Sequence, residues 1–253
     1  MTAKATPALP QTCCPSVWLW PGQALYAGPS LNLAPHSGSV WCLAVGIDGP
    51  LTVAMTDGTA CDGYSVLIPP RLTHQLTCHG AGLVSCYLEP TSDRADTSRH
   101  KFGEWRGQLG VGHVDEERLQ FTPTDDESAS HWLDLAAPAA HRTLDPRIAA
   151  AACRIRDEPA AAISSRQLAA EAGLSESRFL HLFRDELGTS LRRYRLWVRL
   201  THAGTAIAAG DNLTTSAMKA GFASPSHLAD RFKTTFGLSA SQLLGTGLTL
   251  RTP

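Results

Sequence analysis

The stretch Gly173–Gly188, GLSESRFLHLFRDELG, has a looser copy at Gly221–Gly237, GFASPSHLADRFKTTFG. In the first copy, Ser175 can cap a helix in which Phe179 and Phe183 fall on one face. The apolar positions and the closing glycine recur in the second copy at a constant offset of 49 residues. The sequence therefore predicts that one helical unit occurs twice in this part of the chain.

A short helix closed by a glycine precedes each copy. The segment SSRQLAAEAG has Ser164 and Gln167 at capping-box spacing and ends at Gly173, and the segment LTTSAMKAGF is closed by Gly221. Glycine at such positions can adopt the left-handed backbone conformation that ends a helix. Each unit is therefore predicted to be a helix, a tight glycine turn and a second helix.

One long helix is predicted to join the two units. The segment SLRRYRLWVRLTHAGTAIAAG runs from a Ser190 cap to a Gly210 stop, and an earlier helix begins at Asp145 with Pro146 in its first turn. A single reading helix contacts only a few base pairs, whereas two helices at a fixed spacing can enter successive major-groove segments about 34 Å apart. The duplication therefore points to a chain that reads a longer site on DNA.

Charge is distributed unevenly along the chain. Residues 1–144 hold 8 Lys and Arg against 14 Asp and Glu, whereas residues 145–253 hold 14 against 9. The basic C-terminal half suits a polyanion such as nucleic acid. No signal-peptide pattern is found, and no apolar run approaches the roughly 20 residues that a bilayer needs, so a soluble cytoplasmic protein with no membrane partner is expected.

The N-terminal half has the rhythm of strands and turns. Residues 25–90 contain the runs SVWCLAVGID, LTVAM, YSVLIPP, HQLTC and GLVSCYLEP, broken by Gly, Pro and Asp, which indicates a compact β-barrel or sandwich. In the last run Val84, Cys86 and Leu88 share one face, so this strand is predicted to bury one side only. Residues 91–143 are more polar and are interpreted as a connecting region with weak helices.

The seven cysteines are odd in number and lack CxxC pairs, which argues for free thiols. Cys42 and Cys86 lie in apolar strand patterns and are predicted to be small core residues. Cys78 lies near a strand end, and Cys13 and Cys14 lie in the N-terminal segment. A thiol sensor or soft-metal sensor, which needs an exposed cysteine of lowered pKa, is the alternative interpretation.

Residues 145–246 resemble the DNA-binding domain of the AraC/XylS family of transcription regulators. The segments LAAEAGLSESRFLHLFRDELGTSLRRY, LWVRLTHAGTAI and AGFASPSHLADRFKTTFGLSASQLL follow the order and spacing of that family. The resemblance implies a seven-helix domain whose third and sixth helices enter the major groove. The predicted DNA-binding residues are Ser175, Ser177, Arg178, Leu180, His181, Arg184, Ser224, Ser226, His227, Asp230, Arg231 and Lys233.

Asp230 departs from the family pattern, in which a basic residue is frequent near this position. A carboxylate that faces DNA is repelled by phosphates unless it accepts a hydrogen bond from a cytosine amino group. The second unit is therefore expected to read fewer bases, or to depend on shape and backbone contacts. The alternative is that Asp230 pairs with a neighbouring arginine on the protein surface.

The N-terminal half resembles the cupins, although less specifically. The segment GYSVLIPPRLTHQL is similar to the second cupin motif, and APHSGSVWCL is similar to a damaged first motif. Of the metal ligands of cupins only His36 and His74 have matching positions, and two histidines without a matching carboxylate make a poor iron or manganese site. No cofactor is predicted, and both histidines are candidate effector-binding residues.

Together these observations predict an α+β protein of two domains, a cupin-like β-barrel or sandwich and an all-α double helix-turn-helix domain. The predicted boundaries are 1–95 for the effector-binding or dimerisation domain, 96–143 for the connector and 144–253 for the DNA-binding domain. The predicted function is transcription regulation, with activation favoured by the resemblance and with no catalytic residues. The predicted partners are promoter DNA, an unknown small-molecule effector, RNA polymerase and a second copy in a homodimer. The alternatives are a regulator that responds to thiol oxidation or a soft metal, and a metal-dependent cupin enzyme fused to a helical domain.

Overall fold

The structure of the chain, a computed structural model, describes residues 14–31, 33–140 and 143–253; Cys13 lies outside these ranges. The N-terminal half is built from strands, as predicted. Its strands are β1 (Ser16–Trp20), β2 (Gln23–Gly28), β3 (Trp41–Ile47), β4 (Leu51–Met55), β5 (Ala60–Gly63), β6 (Ser65–Ile68), β7 (His74–Cys78), β8 (Gly82–Leu88), β9 (Phe102–Arg106) and β10 (Leu109–His113).

The helices form two groups along the chain. Those between the strands and the C-terminal domain are α1 (Asp93–His100), α2 (Glu116–Leu119) and α3 (Asp126–Ala136). The C-terminal domain contains α4 (Pro146–Asp157), α5 (Ser165–Glu171), α6 (Glu176–Leu187), α7 (Leu191–Ala208), α8 (Leu213–Lys219), α9 (Pro225–Phe236) and α10 (Ala240–Leu244), followed by the short strand β11 (Thr249–Arg251). No helix of the described ranges is long and apolar enough to cross a membrane.

Two sheets face each other across an apolar core. The larger sheet has the order β11-β1-β2-β8-β3-β6-β10-β9, and the smaller has the order β5-β4-β7. Cys42 and Ala44 of the larger sheet and Leu51 and Val53 of the smaller sheet lie in the core between them. The two-domain α+β fold class predicted from the sequence is therefore confirmed, with a β-sandwich followed by an all-α domain.

Strand β8 differs from its prediction because both of its faces are buried. Val84, Cys86 and Leu88 pack on one side against a cluster that includes Trp132 of α3. On the other side the ring of Tyr87 lies 6.2 Å from that of Trp197 in α7. The C-terminal domain covers a face for which the sequence predicted solvent contact.

The segment between residues 96 and 143 contains a β-hairpin as well as helices. Strand β10 pairs antiparallel with β6, where Gly110 is opposite Leu67, and β9 continues the sheet as its last strand. Helix α3 packs its buried side, including Trp132 and Leu133, against the outer face of the same sheet. Much of this segment is thus packed against the N-terminal fold.

Several contacts hold the C-terminal domain against the N-terminal domain. Strand β11 pairs parallel with β1, where Ser16 is opposite Thr249. Ala34 donates a backbone hydrogen bond to the carbonyl oxygen of Gly237 at 2.8 Å. A further contact is a buried polar cluster centred on Glu89, just after β8.

The carboxylate of Glu89 is 2 % exposed and joins the two domains. It accepts hydrogen bonds from the hydroxyl of Tyr194 at 2.8 Å and from the indole of Trp197 at 3.3 Å, both in α7. The guanidinium of Arg156 in α4 lies 3.1 Å from the same carboxylate. Because a buried charge is stable only when it is paired and hydrogen-bonded, this cluster fixes the two domains against each other.

Candidate nucleic-acid interface

Each repeat of the sequence forms the predicted pair of helices, α5 with α6 and α8 with α9. Helix α6 begins after Ser175, whose hydroxyl accepts from the backbone N–H of Arg178, and it ends at Gly188 with a φ of +61°. Helix α9 begins after Ser224, whose hydroxyl accepts from the N–H of His227, and it ends at Gly237 with a φ of +79°. The caps and the left-handed glycines read from the sequence therefore define both second helices.

Helix α6 turns its aromatic residues inward and its polar residues outward. Phe179 and Phe183 are fully buried. All six predicted contact residues of this unit are exposed, and they line one surface concavity of about 490 Å³: Ser175, Ser177, Arg178, Leu180, His181 and Arg184. The imidazole of His181 lies 3.4 Å from the carboxylate of Asp185 one turn later.

Helix α9 presents a mixed surface. Ser226, Asp230 and Lys233 are exposed, whereas His227 and Arg231 are half-buried, as is the capping residue Ser224. The Nε of Arg231 lies 3.2 Å from Nε2 of His227, and the backbone N–H of Ala223 lies 3.4 Å from its Nδ1. A neutral imidazole has one acceptor nitrogen, so only one of these contacts can be a hydrogen bond at a time.

The structure gives no support to an ion pair of Asp230. Within the described ranges no Lys or Arg nitrogen lies within 4.0 Å of its carboxylate, and the side chain is exposed. A free carboxylate on the presented side of α9 is the arrangement that would accept from a cytosine amino group.

The cations without a carboxylate partner are concentrated on three helices. Apart from Arg71, every Lys or Arg of the described ranges outside α6, α7 and α9 has a carboxylate oxygen within 4.0 Å. The side chains that have none in those ranges are Arg178, Arg184, Arg192, Arg193, Arg195, Arg199, Arg231 and Lys233. This surface therefore keeps its positive charge uncompensated, as a polyanion-binding surface requires.

Four of these cations, Arg192, Arg193, Arg195 and Arg199, were not among the predicted contact residues. They occupy the first half of α7, which the sequence analysis treated as a rigid spacer between the units. The run LRRYRLWVR contained the signal, since four arginines within eight residues exceed what a spacer helix needs.

The two candidate effector histidines are buried next to each other at the domain junction. His36 and His74 are 7 % and 3 % exposed, their ring centroids are 4.4 Å apart, and each Nδ1 lies 3.0 Å from a backbone carbonyl oxygen. Burial, and beside it the His36 ring, lowers the pKa of His74 to about 4. Within the described ranges no group of three or more His, Cys, Asp or Glu side chains is placed to hold a metal ion.

The cysteines predicted to be core residues are buried. Cys86 is fully buried and Cys42 is 8 % exposed, and burial raises the pKa of Cys42 to about 12. A thiol held in its neutral form is a poor nucleophile and a poor soft-metal ligand. Cys14 and Cys153 are the exposed free thiols of the described ranges.

An apolar cavity of about 120 Å³ lies between the two domains. The N-terminal sheet contributes Leu19 and Leu83, helix α7 contributes Trp197, and helix α9 contributes Phe232 and Phe236. The lining side chains include four hydroxyl groups but no charged group: Tyr26, Ser85, Tyr87 and Thr201 provide the hydroxyls. Neither His36 nor His74 lines this cavity.

Comparison with known proteins identifies the helical part of the chain. Residues 168–245 match the family model described as a helix-turn-helix domain. The predicted resemblance to AraC-type regulators is thereby confirmed for this part of the chain. No curated protein sequence matches the chain significantly.

Solved structures share the fold of both domains. An apo variant of ToxT from Vibrio cholerae superposes with a TM-score of 0.60 at 11% identity, over 89% of this chain and 98% of that chain. Wild-type ToxT from Vibrio cholerae bound to an unsaturated fatty acid superposes with a TM-score of 0.56 at 12% identity, over 88% of this chain and 94% of that chain. The chain thus has the two-domain architecture of ToxT, with a β-rich domain and an AraC-type helix-turn-helix domain.

Proposed function

We propose that the chain is a sequence-specific DNA-binding transcription regulator whose α6 and α9 are inserted into the major groove of a promoter. The observation that supports this most directly is the set of cations without carboxylate partners on α6, α7 and α9. Because each Lys or Arg that contacts a phosphate releases condensed counterions, such a surface favours duplex DNA over other macromolecules. The matched helix-turn-helix domain supports the same function.

A binding titration tests this proposal. The full chain is mixed with promoter fragments from its own genome and with a random duplex, at several salt concentrations. We expect tighter binding to at least one promoter fragment than to the random duplex, and a steep loss of affinity for both as salt rises. Affinity that does not depend on salt, or no binding at low salt, would contradict the proposal.

The proposed control by an effector is supported by the interdomain cavity. At about 120 Å³ it is smaller than the roughly 300–1,000 Å³ of ordinary ligand sites, so a full-sized ligand must widen the interface that it enters. Helix α9 lines the cavity with Phe232 and Phe236, and the same helix presents Asp230 and Lys233 to DNA. Ligand entry would thereby change the relative free energies of two domain arrangements, which is what allosteric control of DNA binding requires.

The effector that fits this lining is an apolar molecule without a charged group. The homologous architecture of ToxT holds an unsaturated fatty acid in one of its solved structures. In this chain the cavity offers hydroxyl groups only, so a carboxylate would enter it without a cation to pair with. We therefore place a neutral apolar effector here in preference to a fatty-acid anion.

A matched ligand series tests the effector. A fatty acid and its methyl ester have the same hydrocarbon chain, and the ester replaces the carboxylate by a neutral group that is one methyl larger. The proposal predicts that the ester raises the thermal midpoint of the full chain more than the acid does. Gly204→Leu is the filling variant, because a Cβ there would lie 2.9 Å from the Leu19 side chain at the cavity wall. Stabilisation by the acid alone, or an ester effect that survives Gly204→Leu, would contradict the assignment.

Three further parts of the proposal concern the candidate effector histidines and the partners of the whole chain. His36 and His74 stay candidate contacts for an effector that opens the junction beside α9. We also propose that the chain forms a homodimer, and that it activates transcription by contacting RNA polymerase. Analytical ultracentrifugation of the full chain tests the homodimer, and transcription from a bound promoter with purified polymerase tests the sign of regulation.

A further inference from the structure

A cleft of about 860 Å³ lies between the two helix-turn-helix units. One side includes Leu180 of α6, and the other includes His227 and Arg231 of α9. The side chains of α7 between them include four arginines: Arg192, Arg193, Arg195 and Arg199. We call this surface, with Arg231, the arginine cleft.

The arginines of this cleft are poorly compensated by the protein itself. Arg195 has a buried Nη2 atom that finds no hydrogen-bond partner in the described part of the chain. Arg199 donates from Nε to the carbonyl oxygen of Pro159 at 2.9 Å, and Arg193 donates to Ser37 and Gly38 of the N-terminal domain at 3.2 Å. None of the five has a carboxylate within 4.0 Å in the described ranges.

A buried guanidinium nitrogen without an acceptor is costly, because it has lost water and gained nothing in return. Close packing of like charges adds to that cost: burial, and with it the charge of Arg199, lowers the pKa of Arg195. An arrangement of this kind is unfavourable for folding alone. It becomes favourable when an anion with several oxygen acceptors enters the cleft.

We propose that the arginine cleft binds phosphate groups of the DNA backbone where the duplex passes from the segment read by α6 to the segment read by α9. This inference rests on the proposed function. The ligand chemistry follows from the donors: arginine forks match phosphate oxygens, and the half-buried serines Ser37 and Ser190 at the cleft wall carry hydroxyl groups that can donate as well. Helix α7 is then a third DNA-contacting element as well as the spacer.

The arginine cleft is expected to contact phosphates, whereas the reading helices contact bases. A phosphate contact fixes the register of the protein on the duplex but contains no sequence information. The cleft arginines should therefore contribute equally to promoter and random DNA, whereas α6 residues contribute to the difference between the two.

The test compares three glutamine variants of the full chain. Arg192→Gln and Arg195→Gln remove cleft cations, and Arg147→Gln is the matched control, because Arg147 is exposed, pairs with Asp145 and lies outside the cleft. Affinity for the promoter and for a random duplex is measured at several salt concentrations. We expect each cleft variant to weaken both affinities by the same factor and to flatten the salt slope by about 0.9, with no change for Arg147→Gln.

The thermal midpoint of the variants separates a DNA-binding role of Arg195 from a purely structural one. If Arg195 only stabilised the fold, replacing it would lower the midpoint. Because Arg195→Gln removes a guanidinium whose buried Nη2 atom has no acceptor in the described ranges, its thermal midpoint should equal or exceed that of the wild type while DNA binding weakens. Arg195→Lys keeps the charge and should recover most of the salt slope. A lower midpoint for Arg195→Gln with unchanged DNA affinity would overturn the inference.

Three other outcomes are distinguishable. If the wild type binds duplex DNA steeply with salt but the cleft variants bind like Arg147→Gln, the inference fails and the proposed function stands. If inorganic pyrophosphate displaces the random duplex at micromolar concentration from the wild type but not from Arg195→Gln, the cleft belongs to a small phosphorylated ligand and the inference is also overturned. If no duplex binds at all, the proposed function itself fails.

Discussion

At the scale of single residues, we expect α6 to read the base sequence and α9 to anchor the protein on the DNA backbone. His181→Ala is predicted to relax base preference at one or two positions and to weaken the specific site by roughly 1–3 kcal/mol, with random DNA almost unaffected. Lys233→Ala is predicted to weaken both kinds of DNA alike and to flatten the salt slope by about one unit. Selection from randomised duplexes measures the first effect, and a salt titration measures the second.

An exposed carboxylate on α9, Asp230, supplies the contrasting result. Asp230 has no cation partner in the described ranges, so it can approach DNA as a free carboxylate. An unchanged sequence preference in His181→Ala, together with an altered preference in Asp230→Ala, would reverse the assignment of reader and anchor.

His74 makes the folding stability depend on pH. Its imidazole has a pKa of about 4 in the folded chain against 6.5 in an unfolded one, so the folded state favours the neutral ring. The stabilisation is complete above pH 6.5 and is lost as the pH falls towards 4, at up to about 1.4 kcal/mol per pH unit. Urea unfolding at several pH values should show a shallower loss for His74→Gln, whereas His202→Gln, an exposed change in α7, should leave the slope as it is.

At the scale of elements, the glycines that end α6 and α9 allow the same substitution to be compared at a free site and at the domain junction. Gly188 and Gly237 occupy the same position in the two repeats and both have positive φ, so alanine at either site costs about 1 kcal/mol in backbone strain. A Cβ at Gly188 would meet nothing within 4 Å, whereas one at Gly237 would lie 2.5 Å from the carbonyl oxygen of Ala34 and 2.8 Å from Nδ1 of His36. Gly237→Ala should therefore destabilise the full chain much more than Gly188→Ala.

The isolated fragment 145–253 is the control for this pair. Without the N-terminal domain the clash is absent, and the two alanine variants should lose similar unfolding free energies in urea. Equal losses in the full chain would show that α9 does not dock against residues Ala34 and His36 in solution.

Features that depend on neighbouring residues were predicted from the sequence, whereas features that depend on residues distant in the sequence were not. Caps, closing glycines and apolar faces are local, so the ends of α6 and α9 were predicted within a residue or two. The strands β1, β2, β5, β9, β10 and β11 were not among the runs predicted to be strands. The hairpin of β9 and β10 is rich in glycine and is held by β6, while β11 has three residues and pairs with β1, which is distant in the sequence.

The interface residues were harder to foresee for the same reason. The burial of Glu89 was not predicted, because the alternation of apolar and polar residues along a strand does not reveal what covers a sheet face. Phe232 and Phe236 pack both against the cluster of their own helical unit and against the cluster between the sheets and the C-terminal domain, and this second contact was not predicted. The six predicted contact residues of α6 are exposed, and their contact with DNA stays a prediction, whereas the arginines of α7 were recognised only from their three-dimensional neighbours.

At the scale of the whole molecule, Glu89 should control how firmly the domains are joined. Glu89→Ala leaves Arg156, Tyr194 and Trp197 without their shared acceptor, and we expect a loss of up to about 3 kcal/mol, reduced by the partial exposure of Arg156. Glu104→Ala removes an exposed carboxylate from the β9 edge and should change stability by less than about 0.5 kcal/mol. Urea unfolding followed by tryptophan fluorescence measures both changes, and equal values for the two variants would contradict the role of Glu89.

The parallel pairing of β11 with β1 also sets an order of events during synthesis. Strand β1 leaves the ribosome long before β11. The edge of β1 that will pair with β11 therefore stays unpaired while the rest of the chain is translated. During that interval the edge backbone groups and the apolar face of Trp18 are open to other nascent chains. We therefore expect a chaperone to bind the nascent chain before the helical domain has been translated. Slow codons placed before that domain would prolong the time for which the edge of β1 is exposed.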